Sequence, residues 1–234
     1  MRRLWKLIEN VKIILDTIKN TAVACGRDPQ TVQLVAVSKT VPAERVRQTI
    51  QQGGIKILGE NYIQEACEKI TALSMESVTW HFIGHLQSNK AKLAVRHFDL
   101  IHTVDRLKLA KELNKEARKL NKIQKILIQV NIGGEATKSG IDVKTAESLV
   151  EEIRRFDYLS IQGLMTLPPF FDDPERVRPC FRTLRELRDR IRAKNIPRVH
   201  MQELSMGMSG DYPVAIEEGA TLVRIGTAVF GRRY

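Results

Sequence analysis

Cysteine is scarce in this chain: Cys25, Cys67 and Cys180 are the only three in 234 residues. An odd count at wide spacing, with no C-x-x-C pair, excludes a disulfide framework and a cysteine-based zinc site and fits a reducing compartment, so the cytoplasm is the expected location. Long apolar runs are missing too. No window approaches the roughly 18 uninterrupted apolar residues of a membrane span. The N-terminal MRRLWKLIENVKIILDTIKN has the order of a signal peptide, but Glu9, Lys12, Asp16 and Lys19 interrupt any hydrophobic region. With 14 glycines, 8 prolines and 43% hydrophobic residues, collagen-like and disordered readings are also excluded.

Negative charge is the other deficit, with 27 acidic residues against 38 basic and a formal charge of +11. An anionic partner is therefore expected, either a polyanion or one phosphorylated small molecule. The stretch from Glu175 to Arg198 holds much of the excess, with eight arginines and Lys194 against Glu175, Glu186 and Asp189. Arg178, Arg182, Arg185 and Arg192 fall on one helical face opposite Leu184, Leu187 and Ile191. That pattern reads as the solvated outside of a packed helix, with a polyanion site as the rival.

Apolar periodicity supplies the architecture. Leu4, Leu7, Ile8, Val11, Leu15, Ile18 and Ala22 predict an amphipathic helix ending near Cys25-Gly26. Eight strand-like runs follow: 34–39, 55–58, 78–84, 100–104, 125–132, 159–165, 200–206 and 221–226, most of them separated by helical segments. Eight βα units spaced about 20 to 30 residues apart predict an α/β fold, a (β/α)8 TIM barrel; an open doubly wound sheet is the alternative. Only about eight residues follow the last strand, too few for a full final helix. The extra N-terminal helix is expected to fill that gap, and residues 1–234 to form one domain.

In such a barrel functional groups sit at the C-terminal ends of the strands, and a phosphate site is commonly built after strands seven and eight. The candidates are Lys39 ending strand one, Glu60 and Asn61 after strand two, His85 after strand three, Asn131 ending strand five, Met165 ending strand six, Ser205 to Asp211 after strand seven, and Arg224, Gly226 and Thr227 ending strand eight. Closure would bring Lys39 and Arg224 to one mouth. A lysine in a dry mouth can form a Schiff base with an aldehyde, although a solvated loop lysine is the plainer reading. Gly226-Thr227 and the turn MGMSGD, residues 206–211, offer backbone donors and hydroxyls suited to a phosphate. His81 and His85 have a zinc-like spacing, but on a strand four residues span about 13 Å, too far for one ion, so no metal is expected. Gly133-Gly134 lacks the rest of a P-loop, and Gly207 to Gly210 matches only the four-residue signature of a KH domain.

The motifs VAVSKT (35–40), LGENYIQEA (58–66), WHFIGHLQSNKAK (80–92), HTVD (102–105), QVNIGGEATKSGI (129–141), GLMTLPP (163–169), LSMGMSGD (204–211) and VRIGTAVFGRR (223–233) occur in an order that resembles the pyridoxal phosphate homeostasis protein family. The resemblance implies an alanine racemase-like, fold-type III barrel carrying pyridoxal 5′-phosphate (PLP) as an aldimine on Lys39. It implies Arg224 opposite the pyridine nitrogen, and Gly226, Thr227 and a serine on the phosphate. Ser205 is the first choice for that serine and Ser209 the reserve, with Asn61, His85 and Met206 near the cofactor. It further implies a carrier or buffer of PLP in vitamin B6 and amino acid homeostasis, without turnover, with PLP-dependent apoenzymes as candidate recipients. A small amino acid racemase is the first rival. A nucleic-acid-binding protein, suggested by the charge, is the second. A lone barrel without a second domain points to a monomer.

Overall fold

The computed structural model describes residues 2–133 and 139–231, with side chains from residue 5 onward. The stretch 134–138 of the QVNIGGEATKSGI motif, including Gly134, and residues 232 and 233 of the last motif lie outside the described residues. Eight parallel strands form the barrel: β1 Gln33–Val37, β2 Ile57–Glu60, β3 Thr79–Phe82, β4 Leu100–Val104, β5 Gln124–Asn131, β6 Leu159–Met165, β7 Val199–Ser205 and β8 Leu222–Ile225. Each pairs with the next in chain order, and β8 returns to β1 with Arg224 beside Val35. The sheet is closed, so the TIM barrel holds and the open doubly wound sheet does not. A two-residue extension, Ile141–Asp142, pairs alongside Val130–Asn131.

The helices are α1 Arg2–Ala24, α2 Ala43–Gly53, α3 Ile63–Ala72, α4 Ala91–His97, α5 Leu107–Lys119, α6 Val143–Ile153, α7 Arg178–Ala193, α8 Tyr212–Glu217 and α9 Thr227–Phe230. Alternation along the strands separates two apolar regions. Leu34, Ala36, Val223 and Ile225 join the large core, whereas Val35, Ile57, Leu100, Leu127, Met165 and Leu222, from six different strands, form a second cluster that fills the barrel interior. Helix α1 buries Leu7, Val11, Ile14, Ile18 and Ala22 and packs against α2, α8 and α9. Each of the four larger side chains contributes about 1.5–3 kcal/mol of gross hydrophobic stabilisation. With α9 only four residues long, α1 occupies the place of a final barrel helix, as its apolar stripe predicts. Ile14 takes the inward position and Leu15 lies outside, because an i, i+4, i+7, i+11, i+15 stripe from Leu7 runs through Ile14.

Strand β2 lies two residues later than the IKIL run predicts and includes Gly59. A Cβ at Gly59 would stand 2.9 Å from Val35 Cγ1, so the strand needs a residue that apolar patterning alone does not favour. Helix α7 buries Phe181, Leu184, Leu187 and Ile191. Its outer arginines are paired: Arg178 with Glu175, Glu217 and Glu218, and Arg182 and Arg185 also with Glu218. Further along, Arg190 and Lys194 both reach Glu147. Much of the positive charge concentrated there is therefore offset by neighbouring carboxylates. No helix among the described residues is long and apolar enough to cross a membrane.

Candidate functional site

At the C-terminal mouth of the barrel lies a cleft of about 380 Å³. Its walls are apolar on one side, from Val37, Ile83, Leu167, Phe170 and Phe171, and polar on the other. Lys39 lines it from a turn two residues beyond the end of β1, slightly later than the strand-terminal position expected for it. Arg224 reaches it from β8. The pairing of β8 with β1 therefore brings together two cations separated by 185 positions in the chain.

Arg224 is 3% exposed and is held from two sides, donating to the Thr166 carbonyl at 2.8 Å and to Ser205 Oγ. Ser205 Oγ, which accepts from the guanidinium, lies 2.8 Å from His102 Nδ1, and His102 Nε2 lies 3.0 Å from His81 Nδ1, so the four side chains form one buried hydrogen-bonded chain. Burial first, and then Lys125, pulls the His81 imidazole down to about 3. Burial, His81 and Arg224 hold His102 well below its ordinary value, so both rings are neutral. Burial also lowers the Arg224 guanidinium, to about 10, which leaves it cationic at neutral pH.

Small residues line the end of the cleft near β7 and β8: Ser209, Gly210, Gly226 and Thr227. Gly226 sits so close to β1 that a Cβ there would lie 3.3 Å from both the Val37 carbonyl oxygen and Val37 Cβ. Asp211 Oδ1 accepts from the Met208 N–H at 2.6 Å and closes the turn that presents Ser209 and Gly210. Burial pushes the Asp211 carboxyl up. Ser209 Oγ accepts from the Ala228 N–H at the long distance of 3.5 Å, a weak bond that a better donor or acceptor would displace.

Lys39, Asn61, Ser209, Arg224, Gly226 and Thr227 thus share one cleft. His85 stands beside it, in a hollow of about 310 Å³ that shares Asn61, Ile83 and Leu167 with the cleft, and its Nδ1 is 3.2 Å from Ser139 Oγ. Ser205 and Met206 lie elsewhere. Ser205 is fully buried between Arg224 and His102 and does not line the cleft, whereas Ser209 does. Met206, one residue on, points to the opposite side of the strand and packs in the large core. Met208 lines the cleft in its place. Sequence reasoning also passed over Leu167, Phe170 and Phe171; their signal is the apolar run directly after β6, at the barrel's functional end. Among the described residues no group of three or more histidine, cysteine and carboxylate side chains is placed to hold a metal ion.

The donor set fits a phosphorylated aldehyde with an aromatic ring. It offers a primary amine at Lys39, a buried cation at Arg224, a small-residue cradle for an anion, and apolar walls for a ring. Asn61 Oδ1 is buried at the cleft without a hydrogen-bond partner, an acceptor waiting for a ligand donor.

Residues 13–233 match the family model described as the alanine racemase N-terminal domain. The pyridoxal phosphate homeostasis protein of Aquifex aeolicus is 45% identical over 225 residues, covering 96% of this chain and 97% of that protein. Among solved structures, PipY of Synechococcus elongatus with PLP bound is 36% identical with a TM-score of 0.80, covering 92% of this chain and 100% of that one. A Bifidobacterium adolescentis protein described as unknown is 34% identical with a TM-score of 0.93, covering 98% and 96%.

Proposed function

This chain belongs to the pyridoxal phosphate homeostasis proteins, within the alanine racemase N-terminal domain family, and from that premise we propose that it holds PLP covalently on Lys39 and serves PLP and amino acid homeostasis as a carrier without turnover. The observation that carries this reading is the meeting of Lys39, Arg224 and the Ser209–Gly226–Thr227 cradle in one cleft. Bound there, PLP supplies an aldehyde that condenses reversibly with a primary amine. Lys39 offers that amine from a half-buried turn. Ser209 and Thr227 offer hydroxyls, and Gly210 and Gly226 leave room for the backbone to approach a phosphate. Asn61 Oδ1 would accept a hydrogen bond from the ligand, and Val37, Ile83 and Leu167 would exclude water from its ring.

A guanidinium donates hydrogen bonds and accepts none, so Arg224 placed against the pyridine nitrogen would leave that nitrogen unprotonated and the ring a weaker electron sink, a handicap that a racemase of this fold meets with two well-placed bases. Racemisation also needs a second base across the α-carbon from Lys39. Among the described residues the cleft is lined by no tyrosine, histidine or cysteine, and Asp211 is already engaged with the Met208 N–H. The lack of that second base in the cleft is what favours the carrier over the racemase.

Titration of the purified protein with PLP, followed by visible absorbance, tests the proposal. A saturable new band that Lys39→Ala abolishes supports it, and an unchanged spectrum for free PLP refutes it. Incubation with L-amino acids in deuterated water tests the absence of turnover, and α-proton exchange lost in Lys39→Ala would assign an enzyme instead. Recipient apoenzymes would be activated faster by the loaded protein than by free PLP in the presence of a PLP scavenger. Sedimentation at the mass of one chain would support a monomer.

A further inference from the structure

Three ionisable side chains with no part in holding PLP lie beside the turn that carries Lys39. Lys69, on α3, is 5% exposed, and its ammonium donates to Glu60 Oε1 at 2.6 Å, to the Ser38 carbonyl at 2.7 Å and to Glu65 Oε1 at 2.9 Å. That exhausts its three protons. Ser38 Oγ donates to the same Glu60 oxygen at 2.6 Å, and the Thr40 N–H donates to the same Glu65 oxygen. The residue before Lys39 is thus gripped by its hydroxyl and carbonyl, and the residue after it by its N–H. All of these contacts converge on Lys69.

The turn needs such a grip. Thr40 has φ 62, in the left-handed region, where a β-branched residue is an outlier and strain of about 1–3 kcal/mol must be balanced by surrounding contacts. A buried ion pair is a poor device for stability alone, because desolvation offsets most of its attraction. Glu60 is fully buried and its Oε2 has no hydrogen-bond partner, which a cluster shaped only for stability would avoid. What the cluster supplies is a set of fixed atomic positions on both sides of one lysine.

We infer that Glu60, Glu65 and Lys69 are positioning residues, a clamp that fixes the Ser38–Lys39–Thr40 backbone and aims the Lys39 amine for its covalent reaction. This rests on the reading that Lys39 captures PLP. In that step the neutral Lys39 nitrogen bonds to the aldehyde carbon, and the aldehyde oxygen leaves as water with the two amine hydrogens. The result is a carbon–nitrogen double bond, and nothing is oxidised or reduced. Misplacing a reacting group by about 1 Å lowers such a rate by up to about a hundredfold.

The test compares wild type with Lys69→Met, Glu65→Ala and Glu65→Gln. One readout is the rate at which PLP becomes attached to Lys39, measured by borohydride trapping and peptide mass spectrometry. The second is the affinity for pyridoxine 5′-phosphate, which carries an alcohol in place of the aldehyde and so reports the cleft without the covalent step. Lys69→Met and Glu65→Ala are expected to slow attachment about tenfold or more while pyridoxine 5′-phosphate affinity stays within about twofold. Glu65→Gln keeps an oxygen that accepts from both Thr40 and Lys69, and is expected to recover most of the rate. Should Lys69→Met fail to fold, the two Glu65 variants decide, since Glu65 is only partly buried. Equal attachment rates in Glu65→Ala and wild type would overturn the inference, as would a parallel loss of pyridoxine 5′-phosphate affinity, which would mean that the cluster merely supports the fold. No attachment in wild type would instead refute the functional reading on which the clamp depends.

Discussion

Two serines separated by one turn of chain make opposite predictions. Ser205→Ala removes the hydroxyl that joins Arg224 to His102, both of them buried. A hydrogen bond from a charged donor contributes about 1.5–3 kcal/mol, and the stranded His102 Nδ1 adds a desolvation penalty of about 1–3 kcal/mol. The expected destabilisation is therefore about 3–5 kcal/mol. At about 2–4 °C per kcal/mol for a chain of this length, the Tm falls by about 10 °C. Ser209→Ala removes only a partly buried hydroxyl with a 3.5 Å contact to the Ala228 N–H, so it changes stability by less than about 0.5 kcal/mol. Its effect falls on anion binding, where the loss of one hydrogen bond to a charged oxygen weakens affinity for a phosphate ester about tenfold. Chemical denaturation and calorimetric titration with pyridoxine 5′-phosphate on the two variants give both quantities. Should Ser205→Ala prove as stable as wild type, or Ser209→Ala bind the ester unchanged, the division between a structural and a ligand-binding serine is wrong.

Stability should fall in acid because His81 and His102 are buried as neutral rings. Their folded pKa values lie below that of the unfolded chain, so the unfolded state binds more protons. The stabilisation is complete above about pH 6.5 and is lost as pH falls from there toward the folded value of about 3 for His81. At pH 5 the His81 contribution lost is about 2 kcal/mol, and denaturant melts of His81→Gln should show a correspondingly flatter pH dependence between pH 7 and 5. Gly84→Ala would place a Cβ 2.1 Å from the Asn61 carbonyl oxygen, so the β2–β3 rim must move; weaker pyridoxine 5′-phosphate binding is expected, and unchanged binding would contradict it. Ile14→Ala, in the buried face of α1, should cost about 2–5 kcal/mol by denaturant titration, a value that a peripheral, loosely attached helix would not show.

Most of the barrel was legible because its strands are buried on both faces and read as short continuous apolar runs. LIHTV and LSIQGLM correspond to β4 and β6 residue for residue. The α1 helix was visible through its 3.6-residue period. Lys39 and Arg224 could be placed in one mouth because closure alone makes the first and last strands neighbours. Where the structure places a candidate away from the cleft, the origin is side-chain direction at a strand end. From Ser205 to Met206 the chain changes face, and no spacing argument shows how far below the mouth an inward residue lies. Composition exposes the charge of α7 but not its partners, since Glu217 ends α8 and Glu218 follows it, some 35 to 40 positions away. The clamp around Lys39 was equally hidden. Glu65 and Lys69 look like ordinary helix-surface charges until α3 turns them toward Glu60 at the end of β2 and the Ser38–Thr40 turn.

The central claim is that one amine, Lys39, takes the cofactor. Reducing the PLP-treated protein with borohydride and mapping the modified peptide tests it most directly. The account predicts a single stoichiometric pyridoxyl phosphate adduct on Lys39, absent from Lys39→Ala. An adduct scattered over several surface lysines, or carried by another residue while Lys39 stays unmodified, would contradict it.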